Sequence, residues 1–156
     1  MEEMILYFGR DLERINHAVK VHGFAQTIGR LEGLPPMEQE GLELAAILHD
    51  IGIHEAERKY GSAVGPHQEK EGPPIAEGIL NRHGADPELI SRVLYLIGNH
   101  HSYGKIDGRD FQILVEADFI VNIFEDGLSA EAAAQMLRSV FQTEAGKRIA
   151  LSLYSE

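Results

Sequence analysis

The sequence predicts an all-α fold, a compact bundle of about six to eight helices. Three observations predict it. Apolar residues recur at helical spacing in several long segments. No stretch alternates with period two between hairpin turns. Prolines and short polar caps fall where those segments begin. Residues 1–156 are expected to form one domain, because 44% apolar residues can supply a core and no linker divides the chain.

The elements follow in order. Over residues 10–32, Ile15, Val19, Phe24, Ile28 and Leu31 recur at helical spacing, and Gly33 with the following Leu-Pro-Pro closes the helix. The next helix opens on proline and acidic residues, continues as an apolar face and reaches Gly52 near its end. Residues 53–72 read as a turn-rich, irregular segment of the kind that often carries function. Pro73 and Pro74 are expected to open another helix. Asp86 caps the one after it, with Pro87 at its first position and Glu88 behind. Residues 102–110 form a turn, residues 110–126 a long helix, Ser129 caps a further helix, and residues 144–154 make a last short one.

Charge and composition narrow the function. The formal net charge is −11, and an acidic surface repels phosphate backbones, which argues against generic nucleic-acid binding. The chain has no cysteine, so disulfides, thiolate metal sites and cysteine nucleophiles are excluded and any metal must be held by His, Asp or Glu. The acidic N-terminus is wrong for a signal peptide, and no apolar stretch approaches the ~20 residues needed to span a bilayer. A soluble cytoplasmic protein with no membrane partner is expected. Exposed helix faces permit a homodimer. No P-loop and no GxSxG nucleophile elbow is present.

Several metal-competent groups fall on apolar faces. His49 follows Leu42, Ala45 and Ala46 by seven, four and three residues; His100 follows Val93, Leu96 and Ile97 at the same spacings; Asp118 follows Phe111, Leu114 and Val115 likewise. His17 shares a face with Val21, Phe24 and Ile28. One inward histidine alone is an ordinary core residue satisfied by a hydrogen bond. An unpaired buried carboxylate, however, costs several kcal/mol, on the order of a domain's whole stability. Asp50 and Asp118 need partners, and one divalent ion would satisfy several of these groups together. Histidine and carboxylate donors without sulfur suit Mn, Fe, Co, Ni, Zn or Mg.

His17 to Val21 as H-x-x-x-V, "LHDIG" at residues 48–52 and "EAD" at residues 116–118 resemble the HD-domain superfamily of metal-dependent phosphohydrolases, whose signature order is H…HD…D. The resemblance covers residues 16–126. It implies a helical fold, with His17, His49, Asp50 and Asp118 as the primary metal ligands and Asp50 bridging if two ions bind. His22 competes with His17 for the first-helix position. His67, Glu71, His100 and His101 are the groups available for a second metal or for general acid–base work. Glu71 alternatively sits favourably at a helix start. The stretch "HHSYGKIDG" is similar to the start of the HD-GYP motif, but Arg-Asp-Phe stands where Gly-Tyr-Pro should be, so cyclic-dinucleotide cleavage is not implied. Ile53 replaces the lysine that many members carry after HDIG, and His54, Arg58 and Lys59 nearby form a candidate basic rim for a substrate phosphate.

The chemistry so implied is hydrolysis of a small phosphomonoester or phosphodiester, nucleotides leading, by water that a divalent ion activates near neutral pH. Histidine titrates in the right range to protonate the leaving oxygen. The alternative is a non-catalytic sensor that binds a metal or nucleotide in the same pocket. A plain helical interaction module with satisfied core histidines is the third reading.

Overall fold

The expected helices are realised as nine α-helices and one 3-10 turn among the described residues, with no strand between them. The structure is a computed structural model and describes residues 1–154. The elements are α1 (Glu2–Phe8), α2 (Leu12–Leu31), α3 (Pro36–Leu48), α4 (Ile53–Tyr60), α5 (Gly65–Arg82), α6 (Pro87–Ile97), the 3-10 turn (Tyr103–Lys105), α7 (Arg109–Glu125), α8 (Ala130–Val140) and α9 (Glu144–Tyr154). The caps are local. Asp11 accepts from the Arg14 N–H at 3.2 Å, Asp86 from Glu88 at 2.8 Å and Ser129 from Ala132 at 3.2 Å, each satisfying a first-turn donor that the helix leaves unpaired.

Helices α2, α3 and α7 pack on one another at the centre, α6 lies against α3, α5 against α6, and α4 against α5. The core is continuous through Val21, Ala25 and Ile28 of α2, Leu42 and Ala45 of α3, Leu96 and Ile97 of α6, and Phe111, Leu114 and Ile120 of α7. In α7 every residue from Asp110 through Ala117 is buried, as befits a helix enclosed on nearly all sides. No helix of the described residues is long and apolar enough to cross a membrane.

Three expectations change in detail. The stripe that α2 buries is Ile15, Ala18, Val21, Ala25 and Ile28, whereas Val19 and Leu31 are 44% and 57% exposed. Their side chains fall off the stripe as the helical phase drifts along twenty residues. Residues 53–72 are not an irregular segment: they hold all of α4 and the first part of α5. Helix α4 buries only Ile53 and Ala56, so its amphipathic signal is short, and it stops at Gly61, whose φ of 66° suits glycine.

Pro73 and Pro74 do not open α5; they lie inside it, and the helix starts at Gly65 with Pro66 in its first turn. Tertiary contact overrides the local cost of interior proline. Gly52, just after α3, approaches the α5 backbone so closely that a Cβ there would meet Gly72 N at 2.6 Å and Gln68 O at 2.7 Å. That approach clamps α5 onto the turn that carries His49 and Asp50.

Candidate metal centre

The packing of α3 against α2, α7 and α6 brings polar residues from distant parts of the sequence to one place. His17 comes from the middle of α2, Asp118 from the middle of α7, His49 and Asp50 from the turn that ends α3, and His100 and His101 from the turn after α6. His17 Nε2 lies 3.1 Å from Asp118 Oδ1, 3.2 Å from His49 Nε2 and 3.6 Å from Asp50 Oδ2. His49 Nε2 lies 3.5 Å from Asp50 Oδ2 and 3.7 Å from Asp118 Oδ1. The other oxygen of Asp50, Oδ1, faces His100 Nε2 at 3.6 Å. Two groups of donors thus share Asp50: one with His17 and His49, the other with His100 and His101.

The tautomers of the rings are fixed from behind. His49 Nδ1 meets the Ala46 carbonyl at 2.9 Å and His100 Nδ1 meets the Ile97 carbonyl at 2.7 Å. A carbonyl can only accept, so both rings carry a proton on Nδ1 and turn Nε2 inward. His100 Nε2 is buried and has no hydrogen-bond partner among the described residues. His49 is 1% exposed and His100 3%, so both rings are shut off from bulk solvent.

Inward-facing imidazole nitrogens and two carboxylates gathered at one small volume suit a positive centre. Donor atoms held about 2.1 Å from one ion stand roughly 3.0 to 3.4 Å apart. The separations here, 3.1 to 3.7 Å, leave a cage that an ion draws together slightly. The residues present therefore fit a divalent cation.

The electrostatics agree. Burial pushes the His17 imidazole down, but Asp118, Asp50 and Glu125 around it carry it up to about 9. Burial lowers His49 further than its carboxylate neighbours raise it. Asp50 is held well below the usual carboxylate range by His49, His100 and His17 in spite of its burial, and Asp118 is lowered by its hydrogen bond to His17 against the same penalty. Burial and the neighbouring His100 push His101 down to about 4, so it is neutral near pH 7.

The remaining expected residues lie in other contacts. Glu71 accepts from Lys59 Nζ at 2.6 Å and Tyr60 OH at 2.7 Å, mid-way along α5 and not at a helix start. His67 stacks on Tyr60 with centroids 4.2 Å apart and gives its Nδ1–H to the Ser62 carbonyl. His101 lies with Nε2 3.4 Å from Gln68 Oε1, its ring against Gly65 at the start of α5. His54 pairs with Asp11 at 2.9 Å, Arg58 holds Glu55 through two nitrogens, and Lys59 lies between Glu71 and Glu55. The expected basic rim is thus three basic side chains each engaged with a carboxylate of this chain. His22 turns to Glu43 at 3.4 Å, which leaves the first-helix position to His17.

Sequence reasoning missed the groups behind the centre. Glu125 Oε2 lies 2.6 Å from His17 Nδ1, and Lys20 pairs with the same carboxylate. Lys20 holds the Glu125 carboxyl low against a burial penalty, aided by His17. Glu69 accepts from the His101 N–H at 3.0 Å and from the Ser102 hydroxyl at 3.1 Å, fixing the turn that bears both histidines. The available signal was spacing: Glu125 follows Asp118 by seven residues and Lys20 follows His17 by three, so each shares the face of a centre residue.

A family model described as the HD domain matches residues 14–140. Comparison with curated proteins and with solved structures gave no match.

Proposed function

The chain belongs to the HD-domain family, whose members bind divalent metals and are generally hydrolase-like, and from that premise we propose that it is a metal-dependent phosphohydrolase. Its substrate is a small phosphomonoester or phosphodiester, with nucleotides as the leading class. The observation that carries the reading is the convergence of His17, His49, Asp50 and Asp118, whose imidazole Nε2 and carboxylate oxygen atoms lie 3.1 to 3.7 Å apart. These four are the proposed primary ligands, and His100 with His101 supplies the second group across Asp50. Bound there, a divalent ion supplies Lewis acidity, which makes water ionisable near neutral pH and neutralises phosphoryl charge.

The chain's own residues do the rest. Asp50 addresses both donor groups at once, Oδ2 to one and Oδ1 to the other. Neutral His101 suits lone-pair donation better than proton donation. His67, half-buried with only Nδ1 engaged, is the proposed proton donor to the leaving oxygen. Tyr103 supports the nucleotide class. It follows the histidine turn, is 45% exposed and packs on Phe119, the neighbour of Asp118, with centroids 5.5 Å apart. Its phenol is pushed up by burial and by the charges of Asp118 and Glu69, and its contact with Phe119 presents an aromatic face beside the helix that carries Asp118. A flat base stacks on such a face.

Protein stripped of metal and reloaded with Mn, Co, Ni or Fe is expected to cleave a nucleotide or a generic phosphoester, and Asp50→Ala to lose both metal retention and turnover. Full turnover by Asp50→Ala overturns the mechanism. One observation favours the sensor reading: His54, Arg58 and Lys59 are each engaged with carboxylates and leave no uncommitted cation among them for a phosphate. Tight nucleotide binding with no turnover under any of these metals selects it.

A further inference from the structure

Three imidazoles turn Nε2 toward the centre, and they are not held alike. Behind His49 and His100 stands a backbone carbonyl three residues earlier on the chain. Behind His17 stands a carboxylate from another helix, Glu125, at 2.6 Å. Glu125 is the last residue of α7, where a negative charge opposes the helix dipole, and the last turn of α7 carries no basic residue to offset it. Local helix stability therefore does not account for a glutamate there. Its compensation comes across the interface from Lys20, one turn beyond His17 on α2. Helix α7 thus reaches His17 twice, with Asp118 in front of the ring and Glu125 behind it.

We propose that Glu125 is the positioning residue of the centre, a carboxylate that accepts the Nδ1–H of His17, fixes its tautomer and ring plane, and makes Nε2 a stronger donor to a divalent ion, with Lys20 holding the carboxylate in place. A ligand histidine backed by a carboxylate is more basic and better oriented than one backed by a carbonyl, and loss of such a partner typically costs about 10- to 100-fold in metal affinity. Because His17 Nε2 lies within 3.6 Å of Asp118, His49 and Asp50, its orientation bears on all three contacts of the first donor group.

The inference rests on the metal-dependent reading above. Its test is chelator competition for Zn or Co by the full chain, run beside long-range proton–nitrogen NMR of the Zn-loaded, nitrogen-15-labelled protein. Glu125→Ala is expected to weaken metal binding about 10- to 100-fold and to move the His17 Nδ1–H resonance upfield, while Glu125→Gln, which still accepts a hydrogen bond, keeps the resonance and recovers part of the affinity. A merely structural glutamate would move the melting temperature of chelator-treated protein and leave the resonance alone. If Glu125→Ala binds as wild type does while wild type binds metal, this inference falls and the proposed function stands. If the wild-type chain takes up no ion, both fall. Should Glu125→Ala fail to fold, unchanged affinity in Lys20→Met together with unchanged affinity in Glu125→Gln overturns it.

Discussion

In the folded chain His17 is carried from an ordinary 6.5 up to about 9, so its imidazolium stabilises the metal-free fold fully below pH 6.5 and loses that effect as the pH rises through 9. His101 moves the other way. Pushed down to about 4, it stays neutral in the fold while the unfolded chain takes up a proton below 6.5, so it subtracts stability as the pH falls from 6.5 toward 4. Buried His49, also lowered, acts in the same direction. Chelator-treated protein is therefore expected to be most stable near pH 6.5 and to lose on the order of 3 kcal/mol toward pH 9, with His17→Gln flattening that alkaline limb. Urea unfolding across this range checks it, and a stability that still climbs well above neutral pH contradicts it. At this scale the centre was legible because inward spacing marks a polar residue as anomalous, as it did for His49, His100 and Asp118. Glu125 carried only the weaker signal of its seven-residue spacing from Asp118. A glutamate beside an aspartate at a helix end has the look of any solvated terminus, and only the crossing of α2 over α7 gives it a partner.

Helix α7 carries two carboxylates that the sequence presents as one short motif, Glu116 and Asp118, and the structure sends them to different tasks. Asp118 faces His17. Glu116 is fully buried and clasps the junction of α8 and α9, accepting from Gln142 N at 2.6 Å, Thr143 N at 2.9 Å and Gln112 Nε2 at 2.8 Å, and from the Thr143 hydroxyl. Glu116→Ala orphans these donors and is expected to cost about 3–5 kcal/mol in equilibrium unfolding without changing metal affinity in the folded fraction. Gly146→Ala is expected to destabilise the same junction, since a Cβ there would sit 2.0 Å from Glu116 Oε2; wild-type stability in both variants would refute the clasp. Helices with a long buried stripe, α3, α6 and α7, could be read from periodicity. Helix α4 and the first half of α5 could not, because glycine and proline signal a break locally, and what keeps α5 whole is the approach of Gly52 to Gly72, a contact between positions far apart in sequence.

Across the whole molecule, the centre joins α2, the end of α3, α7 and the turn after α6. An ion bound only by the folded chain stabilises all of it through mass action. At about a hundredfold excess over Kd the gain is about 2.7 kcal/mol, and for a chain of this size it raises Tm by about 5–10 °C. Thermal melts with and without chelator measure it; coincident melts in the presence of saturating Zn would argue against a structural role for the ion. The all-α architecture was visible in the sequence because one period recurs along most of the chain. Which helix faces which was not, since that is decided by the fit of Ala45, Ala46 and Gly41 against larger neighbours and not by any repeat.

The donors of the first group are drawn from an early helix and a late one, with the His49–Asp50 turn between them. A ribosome therefore releases His17, His49 and Asp50 long before Asp118 and Glu125 emerge. The growing polypeptide has no finished trap for a cation, and ion capture belongs to the last stage of maturation, when α7 has packed against α2 and α3. Uptake of a coloured ion such as Co would then serve as a clock for the completion of folding.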